Sequence, residues 1–79
     1  MKLSNAKTGQ TVVVTNILTN CRVVERLSQI GVKRGAIIKV IRKSPFGDPL
    51  EFEVNGICFS IRKSDCNLLE VEKLWKKFA

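Results

Sequence analysis

The chain has 79 residues, 44% of them hydrophobic and 27% charged, a balance typical of one globular domain rather than a disordered segment. Its 14 Lys and Arg against 7 Asp and Glu give a formal charge of +7, which suits a nucleic acid, an anionic membrane surface or an acidic protein. No apolar run approaches the roughly 20 residues of a membrane-spanning helix. The N-terminal sequence has no apolar segment followed by a cleavage site, so we expect a cytoplasmic protein.

The residue types argue against catalysis and metal binding. There is no histidine, which excludes Ser-His and Cys-His nucleophile pairs and removes the common neutral-pH base. The three cysteines, Cys21, Cys58 and Cys66, have no C-x-x-C spacing and are one ligand short of a tetrahedral zinc site. Glu51 and Glu53 alternate along one strand, where a solvent-facing, Lys- or Arg-balanced role is favoured over a cation or substrate site. We predict no enzymatic activity, cofactor, metal or small-molecule substrate.

The first half of the chain predicts one strand followed by one helix. The β-branched run Gln10–Ile17 predicts a first strand, and Asn20 is placed to cap a helix over Cys21–Ile30, where apolar residues recur at helical spacing. Gly31 is expected to end this helix in the left-handed conformation, with Val32 packing back against it. Because about ten residues are too few for a stable isolated helix, its apolar side must lie on a sheet.

The middle of the chain carries the strongest local signal. A second strand is predicted over Ala36–Lys43, where apolar doublets indicate a bulge or a strong bend. Asn55-Gly56, a pairing preferred in two-residue hairpin turns, then separates two alternating runs and sets their register. In that register one face is wholly apolar, and we expect all six of its side chains to line the core: Leu50, Phe52, Val54, Ile57, Phe59 and Ile61.

The remaining elements complete a mainly β fold. Arg62–Asn67 predicts a short 3₁₀ turn with Cys66 directed inward, and Leu68–Val71 predicts a last short strand. Five short strands with one helix between the first two are too few for a large sandwich. We therefore predict a small, bent five-stranded barrel, since closing the sheet removes exposed edges.

The predicted domain spans residues 1–72, which leaves residues 73–79 as a C-terminal tail. In this tail Trp75 and Phe78 stand among lysines. Contact with an anionic membrane surface, packing against the barrel and disorder are all open for it.

Two segments found together at this spacing, Leu27–Gly35 (LSQIGVKRG) and Ser44–Leu50 (SPFGDPL), resemble the FeoA family, the small cytosolic companions of the bacterial ferrous-iron transporter FeoB. The resemblance covers Leu3–Val71 and implies an SH3-like barrel, similar to the C-terminal domain of iron-dependent repressors. It also implies a non-enzymatic partner that binds and regulates the FeoB-type membrane GTPase from the cytosolic side. Two departures are Cys66, where alanine is frequent, and the tail, which lies outside the family pattern.

We expect partner binding on the exposed side of the helix and on nearby loops, with a cleft between the helix and the hairpin loop as the natural site. The candidate residues are Arg22, Arg26, Lys33, Arg34 and Phe46. For Phe46 the favoured interpretation is that it folds back over the barrel mouth, with a partner contact as the alternative.

A second hypothesis is that the basic residues bind nucleic acid, or that the chain is a regulatory module as in iron-dependent repressors. The basic residues are scattered and aromatic residues make up only 6% of the chain. Both observations argue against a base-stacking platform, so nucleic acid is the less favoured partner.

Overall fold

The computed structural model describes residues 1–19 and 21–74. Its strands and helices are, in chain order, β1 (Thr11–Ile17), α1 (Arg22–Gln29), β2 (Ile37–Lys43), β3 (Leu50–Val54), β4 (Ile57–Ile61), α2 (Lys63–Cys66) and β5 (Leu69–Lys73). The strands form one antiparallel sheet in the order β4-β3-β2-β1-β5. This confirms the predicted mainly β class with one helix between the first two strands.

The β3–β4 hairpin has the predicted register. Asn55 and Gly56 have φ of 54° and 82°, as a two-residue turn with positive φ at both central positions requires. Leu50 is paired with Ile61, Phe52 with Phe59 and Val54 with Ile57, as the turn residues dictate. The pattern and the turn chemistry therefore specify the same pair of strands.

The prediction that all six apolar hairpin residues line the core is wrong for Ile57, which is 63% exposed. Phe59, on the same strand, is only partly buried. The physical reason is that β4 is the edge strand of the sheet. The segment after α1 approaches Val54 on β3, since a Cβ at Gly31 would lie 3.5 Å from Val54 Cγ1.

One hydrophobic core joins the inner side of the sheet to α1, α2 and a 3₁₀ turn at Leu3–Asn5. Phe52 is its largest fully buried side chain. Cys66 is also fully buried, as predicted. The buried cluster consists of Leu3, Ala6, Val12, Val14, Leu27, Val32, Ile38, Val40, Leu50, Phe52, Val54, Ile61, Cys66, Leu69 and Val71.

The sheet bends but is not closed by strand pairing within the described residues. β2 shifts register between Val40 and Arg42, which confirms the bulge indicated by its apolar doublets. β4 and β5 lie at opposite ends of the strand order. The outer edge of β5 is instead occupied by the N-terminus: the Met1 carbonyl accepts the Val71 N–H at 2.7 Å, and Lys2 forms a bridge with Glu70. Met1 and Lys2 therefore cover the edge of β5, whereas the sequence alone predicted that the sheet closes into a barrel.

Helix α1 ends as its sequence predicts. The Gly31 N–H donates to the Ser28 carbonyl at 3.1 Å, and the Val32 N–H donates to the Leu27 carbonyl at 2.8 Å. This pair of bonds defines a Schellman ending, and Gly31 has the required positive φ of 99°. The predicted cap, Asn20, lies outside the described residues. Val24 and Leu27 bury the apolar side of the helix, while Ile30 stays exposed.

The C-terminal end of the structure lies beside the start of β1. β5 ends at Lys73, and the N–H of Leu74 donates to the Thr11 carbonyl at 2.9 Å. The predictions about Trp75 and Phe78 concern residues 75–79, which lie outside the described part of the chain.

Candidate partner-binding grooves

A groove runs between α1 on one side and β4 with α2 on the other, and we call it the helix groove. Its volume is about 600 Å³. The residues lining it come from one side of α1 and its C-terminal cap, the end of β4 and the first turn after it: Val23, Arg26, Leu27, Ile30, Phe59, Ser60, Ile61, Arg62, Ser64 and Asp65.

The helix groove combines apolar and cationic side chains. Val23, Leu27, Ile30 and Phe59 are apolar. Leu27 is buried at the floor, whereas Val23, Ile30 and Phe59 remain accessible, since β4 is an edge strand with only Ile61 buried along it. Arg26 and Arg62 are exposed on opposite sides of it, one on α1 and the other just before α2. An apolar group with a nearby carboxylate on a partner would match this arrangement.

A second groove, which we call the loop groove, lies between the end of α1, the start of β2 and the hairpin turn. Its volume is about 420 Å³, and it is lined by Gly31, Lys33, Arg34, Gly35, Ala36, Ile37, Val54 and Asn55. The Arg34 guanidinium donates to Asn16 Oδ1 at 3.3 Å, which ties this cation to β1. The two grooves adjoin at consecutive residues, because Ile30 lines the first and Gly31 the second.

The structure distributes the five predicted site residues over four places. Arg26 lines the helix groove, while Lys33 and Arg34 line the loop groove. Arg22 lines neither groove but is exposed one helical turn before Arg26, on the same side of α1. Phe46 lines neither groove and belongs to the loop between β2 and β3.

The β4 and α2 side of the helix groove was missed by sequence reasoning. Phe59 was assigned wholly to the core, and Arg62 and Asp65 were treated as parts of a polar turn. One signal could have predicted this side of the groove. β4 is the second strand of a hairpin and pairs only with β3, so its outer residues are left for another element to cover.

The Phe46 loop, Ser44–Pro49, is a compact turn whose aromatic side chain is directed outward. Phe46 is 96% exposed, so the favoured expectation that it folds back over the barrel is wrong. The turn is held by its own hydrogen bonds: the Gly47 N–H donates to the Ser44 carbonyl at 2.8 Å, and the Asp48 N–H donates to Ser44 Oγ at 2.9 Å. With the turn closed locally, the ring is left in solvent within the described part of the chain.

The cysteines and carboxylates have structural surroundings. Burial, with smaller contributions from nearby Asp65 and Asp48, raises the pKa of the Cys66 thiol to about 12, so it is a neutral core group at physiological pH. Cys58 is exposed and Cys21 half-buried. Glu51 accepts a hydrogen bond from Arg42 Nε at 2.8 Å, the cross-strand balance expected of an amphipathic hairpin.

Within residues 1–19 and 21–74 no His, Cys, Asp and Glu side chains gather in groups of three or more that are able to hold a metal ion. In the same part of the chain, every helix is too short or too polar to span a lipid bilayer.

This architecture, a five-stranded antiparallel sheet with one helix after the first strand, defines a small SH3-like domain. The sequence matches the FeoA domain family over residues 1–73. The chain therefore belongs to the FeoA family, whose members are non-catalytic accessory domains of ferrous iron transport.

Solved structures support both the fold and the family. FeoA from Chlorobium tepidum is 36% identical with a TM-score of 0.90, and the match covers 99% of this chain and 74% of that one. FeoA from Stenotrophomonas maltophilia, a prokaryotic SH3-domain protein complexed with zinc, is 26% identical with a TM-score of 0.79, over 91% and 89% of the two chains. ScaR with bound Zn²⁺ is 20% identical with a TM-score of 0.82, over 94% of this chain and 37% of ScaR, which is a likeness of fold alone.

Proposed function

We propose that this chain is a cytosolic accessory protein of ferrous iron uptake that binds and regulates a FeoB-type membrane GTPase transporter. The helix groove is the proposed docking site. The observation that carries the proposal is the coincidence, in a chain of the FeoA family, of an accessible apolar groove with Arg26 and Arg62 on its two sides.

The chemistry of the groove specifies what the transporter must present. Ile30 and Phe59 offer apolar contact area of the kind that supplies most of the free energy at the centre of an interface. Arg26 and Arg62 add cationic groups at the edge, which orient a partner and accelerate its association more than they tighten binding. A short segment with one or two large apolar side chains next to an acidic residue meets both requirements.

The loop groove extends the proposed contact. Lys33 and Arg34 add two further cations next to the end of α1, and Arg22 adds one on the helix itself. A partner longer than a few residues would pass from one groove to the other at Ile30 and Gly31.

Nucleic acid is a weaker candidate for the same surface. The groove residues that would have to stack bases are aliphatic except for Phe59, whereas single-strand binding surfaces offer successive aromatic rings. Arg42 is already paired with Glu51, which leaves fewer free cations for contacts with phosphates.

The proposed function is tested by capture from native membranes. The tagged chain is incubated with detergent extracts of membranes that contain the FeoB transporter, and bound proteins are identified by mass spectrometry. We expect FeoB to be retained by the tagged chain and absent from a mock resin.

The same capture is repeated over a range of salt concentrations. Retention of nucleic acid, with an affinity that falls steeply and log-linearly with salt, would favour the second candidate. Failure to retain FeoB at low salt would reject the proposed function.

A further inference from the structure

The Phe46 loop is the most exposed apolar feature of the described residues and takes no part in either groove. Its conformation is also fixed by several hydrogen bonds. Besides the turn bonds already described, the Ser44 N–H donates to the Pro49 carbonyl at 3.2 Å, and the Lys63 N–H donates to Asp48 Oδ1 at 2.9 Å. The loop is thus held at both of its ends and, through Asp48, to the start of α2.

The loop presents a convex apolar tip. Phe46 is 96% exposed, and its neighbours Pro45 and Pro49 are exposed as well. Among residues 1–19 and 21–74 no side chains cover this ring, and neither groove includes it. A projecting ring of this kind suits a fluid interface such as that of a lipid bilayer, which can rearrange around it.

The charges beside the tip are mainly cationic. Lys43 directly precedes the loop and Lys63 is joined to it by the Asp48 bond, and both are exposed. Of the acidic groups in this region, Glu51 is paired with Arg42 and Asp65 lines the helix groove. Asp48 accepts the backbone N–H of Lys63 and keeps its negative charge, so the two lysines outnumber one unpaired carboxylate at the loop. Among residues 1–19 and 21–74 neither lysine has a carboxylate within ion-pair distance.

We propose that the Phe46 loop binds an anionic lipid bilayer, with the Phe46 ring inserted at the level of the headgroups and Lys43 and Lys63 beside the anionic headgroups. An aromatic ring with flanking lysines is the side-chain combination that partitions into the membrane interface. The net charge of +7 adds a long-range attraction to such a surface. This contact is independent of docking to the transporter, because the helix groove contains neither Phe46 nor the two lysines.

Vesicle flotation tests the proposal with the full chain. Vesicles of phosphatidylcholine with phosphatidylglycerol are compared with pure phosphatidylcholine, and the partition coefficient is measured for the wild type, Phe46→Ser and Phe46→Leu. We expect binding to the anionic vesicles only, a loss of about tenfold or more for Phe46→Ser, and a smaller loss for Phe46→Leu, since partitioning follows the apolar area buried. Raising the salt concentration should weaken the binding of the wild type.

The matched control is Ile57→Ser. Ile57 is also an exposed, large apolar residue, but it adjoins the hairpin turn at the other end of β3 from the Phe46 loop. Its replacement should leave the partition coefficient unchanged. Equal losses for Phe46→Ser and Ile57→Ser would overturn the proposal, because they would indicate nonspecific adsorption.

Tryptophan fluorescence reports whether the side chain at position 46 enters the bilayer. The chain has one tryptophan, so Phe46→Trp in a Trp75→Phe background reports on the loop alone. We expect a blue shift of its emission on adding anionic vesicles. An unshifted spectrum, or flotation lost only when residues 75–79 are deleted and not in Phe46→Ser, would assign any membrane binding to the tail and reject the loop. Loss of FeoB capture by Phe46→Ser without a change in flotation would assign the loop to a protein partner.

Discussion

Replacing Phe52 with alanine is expected to lower the free energy of unfolding by about 3–5 kcal/mol, the usual cost of removing a fully buried aromatic side chain. Phe52 is completely buried, on the central part of the hairpin, and is the largest side chain of the core. Its ring centroid lies 6.3 Å from that of Phe59, so the substitution also removes an aromatic pair. Urea unfolding at 25 °C, followed by circular dichroism, measures the change.

The control for this prediction is Phe59→Ala on the paired strand. Phe59 faces Phe52 in the register but is only partly buried, because it borders the helix groove. Its truncation should cost about 1–3 kcal/mol, and less than Phe52→Ala, because the Phe59 side chain buries less apolar area on folding than Phe52 does. A loss below about 1 kcal/mol for Phe52→Ala, or the reverse order of the two variants, would show that the core is not arranged as described.

Reversing the charge of both groove arginines, in the double variant Arg26→Glu and Arg62→Glu, is expected to weaken binding to FeoB by about 100-fold. Each arginine lies on one side of the proposed docking groove, and a like-charge contact at the edge of an interface replaces attraction by repulsion. A 100-fold change corresponds to about 2.8 kcal/mol of binding free energy. Titration of detergent-solubilised FeoB with the labelled chain gives both dissociation constants.

Folding should survive this double substitution. Both side chains are exposed, and the main cost is a glutamate in the last turn of α1, about 0.3–1 kcal/mol.

Two control variants separate the groove from general charge effects. Lys2→Glu with Lys7→Glu makes the same change of net charge at exposed lysines that line neither groove and should bind nearly as the wild type does. Arg22→Glu, one helical turn from the groove, should have an intermediate effect. Equal weakening by the lysine control would reject the helix groove as the docking site.

The parts of the fold that were predictable from the sequence are those specified by local backbone chemistry. Asn55-Gly56 permits positive φ at two consecutive positions, so it determines both the turn and the register of the hairpin. Gly31 followed by Val32 similarly determines how α1 ends. In β2 the doublet Val40-Ile41 coincides with the bulge, where Val40 is buried and Ile41 half-buried. The doublet Ile37-Ile38 does not, because Ile37 is exposed and Ile38 buried as in a regular strand.

The parts that were not predictable depend on which elements meet across the fold. Alternation shows which face of β4 is apolar, but not how far the core extends along it, so the exposure of Ile57 was missed. The pairing of Met1 and Lys2 with β5, which replaces closure of the barrel, has no local signal. The helix groove has the same origin, because one wall is formed by residues 23–30 and the other by residues 59–65.

Phe46 illustrates the limit for loops. A phenylalanine between a proline and a glycine is compatible with packing inward or outward, and hydrophobicity alone favours the inward position. The outcome is decided by the Ser44 and Asp48 hydrogen bonds, which close the turn on itself and leave the ring in solvent. These bonds depend on backbone geometry that the residue types do not fix.

The most direct test of the docking site is hydrogen exchange of the chain's amides, alone and with FeoB in lipid nanodiscs. If the transporter occupies the helix groove, amides of α1 and of the end of β4 that face it, in segments 23–30 and 59–65, should exchange more slowly in the complex. Amides of the Thr8–Gly9 turn, which belongs to neither groove, should exchange at the same rate with and without FeoB. Slower exchange confined to segments outside both grooves, in a complex shown to have formed, would contradict the proposed site.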